Sequence, residues 1–142
     1  MSKAIPPLDL MWFIMETQAS PTHVGALLLF EKPQGRPAVV QEIVAAYRAC
    51  EPVPPFNLLP ELVGAGLPRF REASSFDPAY HMQHMALPAG ATYDDLLRLV
   101  ADLHEPMLDR GRPLFRNWFI DGVPGHRFAL YTKVHHAIVD GV

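Results

Sequence analysis

The spacing of apolar residues predicts three helices, at residues 8–16, 38–50 and 92–105. In each segment apolar side chains recur three or four residues apart, which places them along one side of a helix. The residues expected to face the core are, in the order of the three helices, Leu8, Met11, Trp12 and Met15; Val40, Ile43, Val44 and Tyr47; and Tyr93, Leu96, Leu97, Val100 and Leu103. Thr92 and Asp95 suit a capping box that would start the third helix.

Strands are predicted where apolar residues run without interruption or alternate with polar ones. Residues 22–31 form a continuous apolar run, which is typical of a strand buried on both faces. Further strands are expected at residues 68–73, 80–87, 113–121 and 126–135. The last two are joined by Asp121-Gly122-Val123-Pro124-Gly125, a strong hairpin signal, whereas the proline-rich stretch 51–68 is expected to be a long ordered loop.

Composition and charge exclude several classes of protein. The 142 residues leave room for one domain, and 49% hydrophobic with 19% charged residues is a globular balance rather than a disordered one. A net charge of −3 argues against a protein that binds nucleic acid by neutralising phosphates. The single cysteine, Cys50, cannot form an internal disulfide or a cysteine zinc cluster.

The apolar run at residues 10–15 lies between Asp9 and Glu16. It is too short for a signal peptide or for a helix that spans a bilayer, and no other run approaches that length. We therefore expect a cytoplasmic protein. Contact with a membrane surface or a lipid droplet stays open, because such contact needs no spanning segment.

The last predicted strand ends in two adjacent histidines, His135 and His136, and Asp140-Gly141 follows shortly after. If the strand stays regular, His136 continues an apolar face that includes Val134, while His135 lies on the other face. A neutral imidazole there can serve as a general base near neutral pH once its tautomer is fixed. The alternative is a pair of surface histidines beside an ordinary Asp-Gly turn. A zinc site is a weaker option, because the two side chains point to opposite faces.

The segment His135-His136-Ala137-Ile138-Val139-Asp140-Gly141 is an HHxxxDG sequence. It resembles the signature of the chloramphenicol-acetyltransferase-like superfamily of CoA- and carrier-dependent acyltransferases. Other stretches, in order along nearly the whole chain, resemble the bacterial wax ester synthase/acyl-CoA:diacylglycerol acyltransferase family. They are Pro7-Leu8-Asp9, Pro21-Thr22-His23-Val24-Gly25, Phe76-Asp77-Pro78-Ala79-Tyr80-His81, Ala86-Leu87-Pro88, Leu108-Asp109-Arg110-Gly111-Arg112-Pro113-Leu114, and Phe128-Ala129-Leu130-Tyr131-Thr132-Lys133-Val134-His135-His136. One departure is Phe115, where the family usually has tryptophan.

The resemblance implies an α/β fold, with one chloramphenicol-acetyltransferase-like domain in which a mixed sheet is flanked by helices. Enzymes of the family are much longer and contain two similar domains, whose substrate channels meet at the motif. Residues 1–142 are therefore expected to be the N-terminal half of a two-domain enzyme. This half would be either a fragment or the partner of a separate chain, and the C-terminal domain is expected to be absent from residues 1–142.

The resemblance also implies the reaction. His136 would be the general base that takes the proton from a fatty alcohol or diacylglycerol hydroxyl, whose oxygen then attacks the thioester of acyl-CoA. His135 and Asp140 complete the catalytic motif, His135 as a supporting residue and Asp140 in a structural part. Gly141 and Arg112 are expected to support the motif, Arg112 by pairing with a carboxylate such as Asp140 unless it is simply solvated. No cofactor and no metal are implied, since acyl-CoA is a substrate.

The expected partners are acyl-CoA, a long-chain alcohol or diacylglycerol, and the missing half of the enzyme; no nucleic acid is expected. Lys133 is a candidate for contact with the phosphates of CoA. One alternative is a condensation domain of peptide synthesis, which shares HHxxxDG, although the N-terminal stretch argues against it. Another is a non-catalytic lipid-binding half-domain, which gains weight if no second half joins the chain.

Overall fold

The computed structural model describes residues 2–139, in which seven strands and four helices are followed by a short 3-10 helix. In chain order they are β1 (Ser2–Ala4), α1 (Pro7–Met15), β2 (His23–Glu31), α2 (Val39–Arg48), β3 (Leu58–Glu61), β4 (Arg69–Glu72), α3 (Pro78–His81), β5 (Met82–Ala86), α4 (Tyr93–His104), β6 (Phe115–Val123), β7 (Arg127–His135) and the 3-10 helix (His136–Ile138). Within residues 2–139 no helix has the length and apolar character needed to cross a membrane.

The four-stranded main sheet has the order β2-β7-β6-β5. Strand β7 runs antiparallel to β2 and β6, and β6 runs parallel to β5, so the sheet is mixed. The register pairs His23 with His135 and Phe115 with Val134, which brings β2 and β6 to the end of β7. At the other end of the β6–β7 hairpin, Gly125 has a φ of 81°, a left-handed conformation that glycine adopts without strain.

Helices cover both faces of the main sheet. On one face, α2 packs Val40 and Val44 into a core that contains Phe119. On the other face, α4 packs Leu96 into a core that contains Trp118. Neighbouring residues of β6 thus enter opposite cores, as expected for a central strand with two buried faces.

A second sheet, three-stranded and antiparallel with the order β1-β4-β3, contributes to a third core. In this core Phe13 of α1 and Phe70 of β4 pack with Leu114, Ala137 and Ile138. The third core therefore includes residues of the 3-10 helix that follows β7 and lies next to both motif histidines, His135 at the end of β7 and His136 at the start of the 3-10 helix.

The structure confirms the mixed α/β fold, the predicted hairpin and the capping box of Thr92 and Asp95. The prediction that residues 22–31 form a strand buried on both faces is wrong. Strand β2 is the edge of the main sheet, and Leu28 within it is 41% exposed. The reason is that, among the described residues, the cores on the two faces of the main sheet draw their strand residues mainly from β6 and β7, and of β2 only Leu27 packs against one of them.

The prediction of which side of α1 is buried is also wrong. Leu8 is 65% exposed and Met11 and Met15 are about half exposed, whereas Phe13 is buried. Helix α1 turns Phe13 and part of Trp12 toward the third core, because this side faces the 3-10 helix and β4. Three further residues that were expected to be buried on the helices are substantially exposed, namely Tyr47, Tyr93 and Leu97.

Two short elements lie where the sequence predicted something else. Strand β3 falls inside the stretch expected to be a loop and pairs with β4. It tolerates Pro60 because it is an edge strand of the small sheet. Helix α3 occupies the start of the strand expected at 80–87, where the Asp77 carboxylate accepts hydrogen bonds from two backbone amides of its first turn.

Candidate active site

The candidate site lies at the end of β7, where the chain turns from a strand into a 3-10 helix. The strand ends at His135, and His136 is the first residue of the 3-10 helix. The alternation of faces predicted for β7 therefore stops one residue before His136. Helix α1 and the segment that precedes β2 pack against this turn, and they supply most of the contacts of both histidines.

His135 is fully buried, and both of its ring nitrogens have partners. Its Nδ1 accepts a hydrogen bond from the backbone amide of Ala137 at 3.1 Å, so the proton of the neutral ring lies on Nε2. That nitrogen is 3.2 Å from Thr22 Oγ1 and 3.3 Å from Glu16 Oε2. Burial lowers the pKa of His135, although Glu16 opposes this shift. The result is a neutral ring with a fixed tautomer.

Glu16 is a buried carboxylate held by an ion pair. Its Oε2 accepts hydrogen bonds from Arg110, at 2.8 Å from Nη2 and 3.2 Å from Nε, and its Oε1 accepts one from the Thr22 amide at 3.1 Å. Burial on its own would raise the pKa of Glu16, but the hydrogen bonds from Arg110 and Thr22 and the charge of Arg110 bring it below its ordinary value. Glu16 is therefore ionised and fully paired.

Arg110 also links this carboxylate to the first helix. Its Nη2 donates to the carbonyl of Phe13 at 2.9 Å, and the Phe13 ring stacks on the His135 ring with centroids 4.5 Å apart. We call the set of Glu16, Thr22, Arg110 and His135 the brace. The brace ties α1, the start of β2, the segment before β6 and the end of β7 together through partly buried polar contacts.

His136 is held differently. Its ring stacks on the indole of Trp12, with centroids 3.9 Å apart and an interplanar angle of 22°. Its backbone amide donates to the carbonyl of Thr22 at 2.9 Å. The ring is half-buried, and among residues 2–139 its Nδ1 has no hydrogen-bond partner although it is shielded from solvent. The ring is thus positioned by its face and its backbone, and no group among residues 2–139 engages its Nδ1.

The remaining predicted site residues fall elsewhere. Asp140 and Gly141 lie outside the described residues, so their parts stay predictions. Arg112 is 41% exposed, lies 3.5 Å from Asp77 and 3.6 Å from Asp109, and covers the ring of Tyr80. Its pairing with Asp140 also stays a prediction.

The structure brings in four residues that were not selected from the sequence, namely Trp12, Glu16, Thr22 and Arg110. Thr22 and Arg110 lie inside stretches that carry the family resemblance, and this was the available signal. Arg110 stands two residues before Arg112, and nothing in the local sequence says which of the two reaches the motif. In the sequence, Glu16 stands out only as the charged residue that ends an apolar run.

Lys133 does not suit contact with CoA phosphates, because it is buried. Its Nζ donates to backbone carbonyls at the end of α4, at 2.8 Å from Leu103 and 2.5 Å from Pro106. Burial, together with the charge of Arg116, lowers its pKa to about 8. Lys133 thus caps the C-terminal end of a helix, where a cation is favourable.

Comparison with known proteins gives one family. Residues 5–142 match the model of the wax ester synthase/diacylglycerol acyltransferase catalytic domain. The chain is 41% identical over 140 residues to tgs2, a probable diacylglycerol O-acyltransferase of Mycobacterium tuberculosis, and 38% identical over 143 residues to the O-acyltransferase WSD of Acinetobacter baylyi. These matches cover 96% and 99% of this chain but only 31% and 30% of the relatives.

Comparison with solved structures supports the same family. A wax ester synthase/diacylglycerol acyltransferase from Marinobacter aquaeolei VT8 superposes with a TM-score of 0.89 and 35% identity, over 97% of this chain and 35% of that one. A starter condensation domain of rhizomide synthetase has a TM-score of 0.72 at 16% identity, which is a likeness of fold alone. The chain therefore spans about a third of the length of these curated relatives.

Proposed function

This chain belongs to the wax ester synthase/diacylglycerol acyltransferase family, and we propose that it supplies the histidine-bearing domain of an acyl-CoA-dependent O-acyltransferase. The reaction would transfer a long acyl group to a fatty alcohol, giving a wax ester, or to diacylglycerol, giving triacylglycerol. The observation that carries the proposal is the contrast at the motif. His135 has both nitrogens engaged, whereas the His136 ring is held by Trp12 and its Nδ1 has no partner among residues 2–139.

In the proposed reaction His136 takes the proton of the acceptor hydroxyl as the oxygen attacks the thioester carbonyl. The carbon–sulfur bond then breaks, and the CoA thiolate recovers a proton from the imidazolium. General-base assistance of this kind contributes about 10²–10⁴-fold. The remainder of the rate would come from holding the two substrates together. Neither a cofactor nor an acyl-enzyme is part of this scheme.

The brace would serve this reaction by fixing the backbone on which His136 sits. His135 precedes it directly, and Thr22 contacts both residues, His135 through its hydroxyl and His136 through its carbonyl. Because His135 is neutral and buried, it places no positive charge beside a ring that must accept a proton. Asp140 and Gly141 are proposed to complete the motif.

We also propose that a C-terminal half, in the same chain or in another, packs on this domain and supplies the other wall of the site. The support is the small share of its relatives that the chain covers, together with the exposed apolar edge of β2. Unpaired strand edges and exposed apolar residues commonly mark surfaces that another element covers.

The proposed place of action is the cytoplasm, at the surface of a membrane or lipid droplet, where long-chain acceptors gather. The exposed apolar side chains of α1, including Leu8, Met11 and Ile14, support such contact.

The test is an assay of thiol release from palmitoyl-CoA with hexadecanol, using the enzyme assembled with its C-terminal half. His136→Ala is expected to lower kcat at least about 100-fold, the lower end for a lost general base. The control is His126→Asn at an exposed turn position with a φ of 57°, which asparagine tolerates. Unchanged thiol release in His136→Ala would remove the proposed role of this residue.

A further inference from the structure

We infer that Trp12 is a positioning residue whose indole stabilises the positive charge that His136 gains when it takes the proton of the acceptor hydroxyl. The two rings have centroids 3.9 Å apart and an interplanar angle of 22°, so the face of the indole lies against the imidazole. The face of an aromatic ring is electron-rich, and tryptophan attracts a cation there more strongly than tyrosine or phenylalanine. This inference rests on the proposed function, because the charge arises only if His136 is the general base.

The spacing of the two rings is set by contacts with a single threonine. The hydroxyl of Thr22 donates to the carbonyl of Trp12 at 3.1 Å, and the carbonyl of Thr22 accepts a hydrogen bond from the amide of His136 at 2.9 Å. Both stacked residues are thus hydrogen-bonded through their backbones to the same residue. Trp12 also packs against the third core, which limits movement of the indole away from the imidazole. The stack is therefore held by the fold on both sides.

The charged groups near the stack are engaged elsewhere. The carboxylate of Glu16 is shared among Arg110, the amide of Thr22 and the Nε2 of His135. Within residues 2–139 the Nδ1 of His136 has no hydrogen-bond partner. In the described part of the chain, the aromatic or polar side chain that contacts the ring of His136 is thus the indole of Trp12.

The contact with the indole strengthens as the proton is transferred. The imidazole is neutral when the substrates bind and becomes an imidazolium as the acceptor oxygen attacks the thioester carbonyl. It loses the charge again when it returns the proton to the CoA thiolate. An interaction that is stronger in the transition state than before it raises kcat. A cation on the face of tryptophan in a partly desolvated site is expected to contribute a factor of about 2 to 30.

Fluorinated tryptophans at position 12 test this effect without changing the shape of the side chain. Fluorine withdraws electron density from the ring face and so weakens its attraction for a cation. Tryptophan analogues with one, two and three fluorines on the six-membered ring would be incorporated at this site alone in the enzyme assembled with its C-terminal half. The rate of thiol release from palmitoyl-CoA with hexadecanol, measured in a single turnover, is expected to fall with each fluorine. The KM values for both substrates should stay unchanged.

The matched control is the same series at position 118. Trp118 is buried in the core beneath α4, where it stacks on Tyr131 with centroids 5.5 Å apart. Fluorination there makes the same chemical change away from His136, so it is expected to leave the single-turnover rate unchanged. Thermal unfolding of each protein checks that the fold is retained.

Two ordinary substitutions give a second measurement. Trp12→Phe keeps an aromatic face and is expected to lower the rate about threefold or less, whereas Trp12→Leu keeps only the apolar packing and is expected to lower it about tenfold or more. Recovery of the rate by phenylalanine relative to leucine, at equal KM values, is the expected result. Equal rates in the two variants would contradict a role for the ring face.

The outcomes separate this inference from the proposed function. If the rate does not change along the fluorinated series at position 12 while His136→Ala is inactive, the inference is wrong and the general base remains. A slower rate in Trp12→Leu does not rescue it in that case, because packing alone would explain the loss. Full activity of His136→Ala would instead overturn the proposed function, and the inference with it.

Discussion

The end of β7 and the outer edge of β2 are built in opposite ways, although the two strands are paired along their length. At the end of β7 the side chains of Glu16 and His135 are fully buried, and the polar groups of the brace are matched with one another. Along β2 the apolar residues Val24, Leu28 and Phe30 are each at least 40% exposed. This domain therefore organises the region of the candidate base with its own residues, while part of its apolar surface is exposed. Under the proposed function, the position of the base and the second wall of the site would come from different parts of the enzyme.

The largest expected effect comes from breaking the brace. Arg110→Ala leaves the carboxylate of Glu16 buried without its cation and should lower the free energy of unfolding by about 3 kcal/mol, as measured by urea denaturation. Arg69→Ala is the control, because it removes an exposed ion pair with Glu61 and should change stability very little. Equal effects of the two variants would show that the brace is no stronger than a surface contact.

Per pH unit, a smaller effect is expected from acid, which would act through His23 at the end of β2 next to the brace. Burial lowers its pKa from 6.5 to about 4, so the unfolded chain takes up a proton in this range that the folded protein does not. The free energy of unfolding should thus fall as the pH drops from 6.5 toward 4, by up to about 1.4 kcal/mol per pH unit from this residue.

His23→Gln is expected to reduce that slope, measured as the urea midpoint at several pH values. His126→Asn, at an exposed position, should leave it unchanged. Burial also lowers the pKa of His81, His104 and His135, so some acid sensitivity remains in His23→Gln. A slope identical to that of the unmodified protein would contradict the buried, neutral state of His23.

The smallest effect on stability is expected at the open edge. Leu28→Lys places a charge on an exposed strand position and should change the free energy of unfolding by less than about 0.5 kcal/mol. It should nevertheless reduce self-association, followed by sedimentation velocity, because charged residues on an edge oppose strand pairing. Val63→Lys adds the same charge away from the sheet and serves as control. Equal self-association in both variants would mean that β2 is not the surface through which the protein self-associates.

Local patterns were enough to predict the hairpin and the capping box, since each depends on residues close together in the chain. The position of His135 at a strand end followed in the same way. The contact of Glu16 with Arg110 joins residues 94 positions apart, and no local pattern links them. An apolar run shows which residues are hydrophobic but not whether other elements pack over them. The exposure of β2 and of one side of α1 could therefore be learned only from the structure.

The stacking of Trp12 on His136 gives the protein an internal optical reporter. The chain has two tryptophans, and Trp118 is buried in the core beneath α4, away from this contact. Indole emission is sensitive to the group that lies against its face, so a ligand or substitution that moves the His136 ring is expected to change the fluorescence of Trp12. Binding at the candidate site could therefore be followed without any added dye.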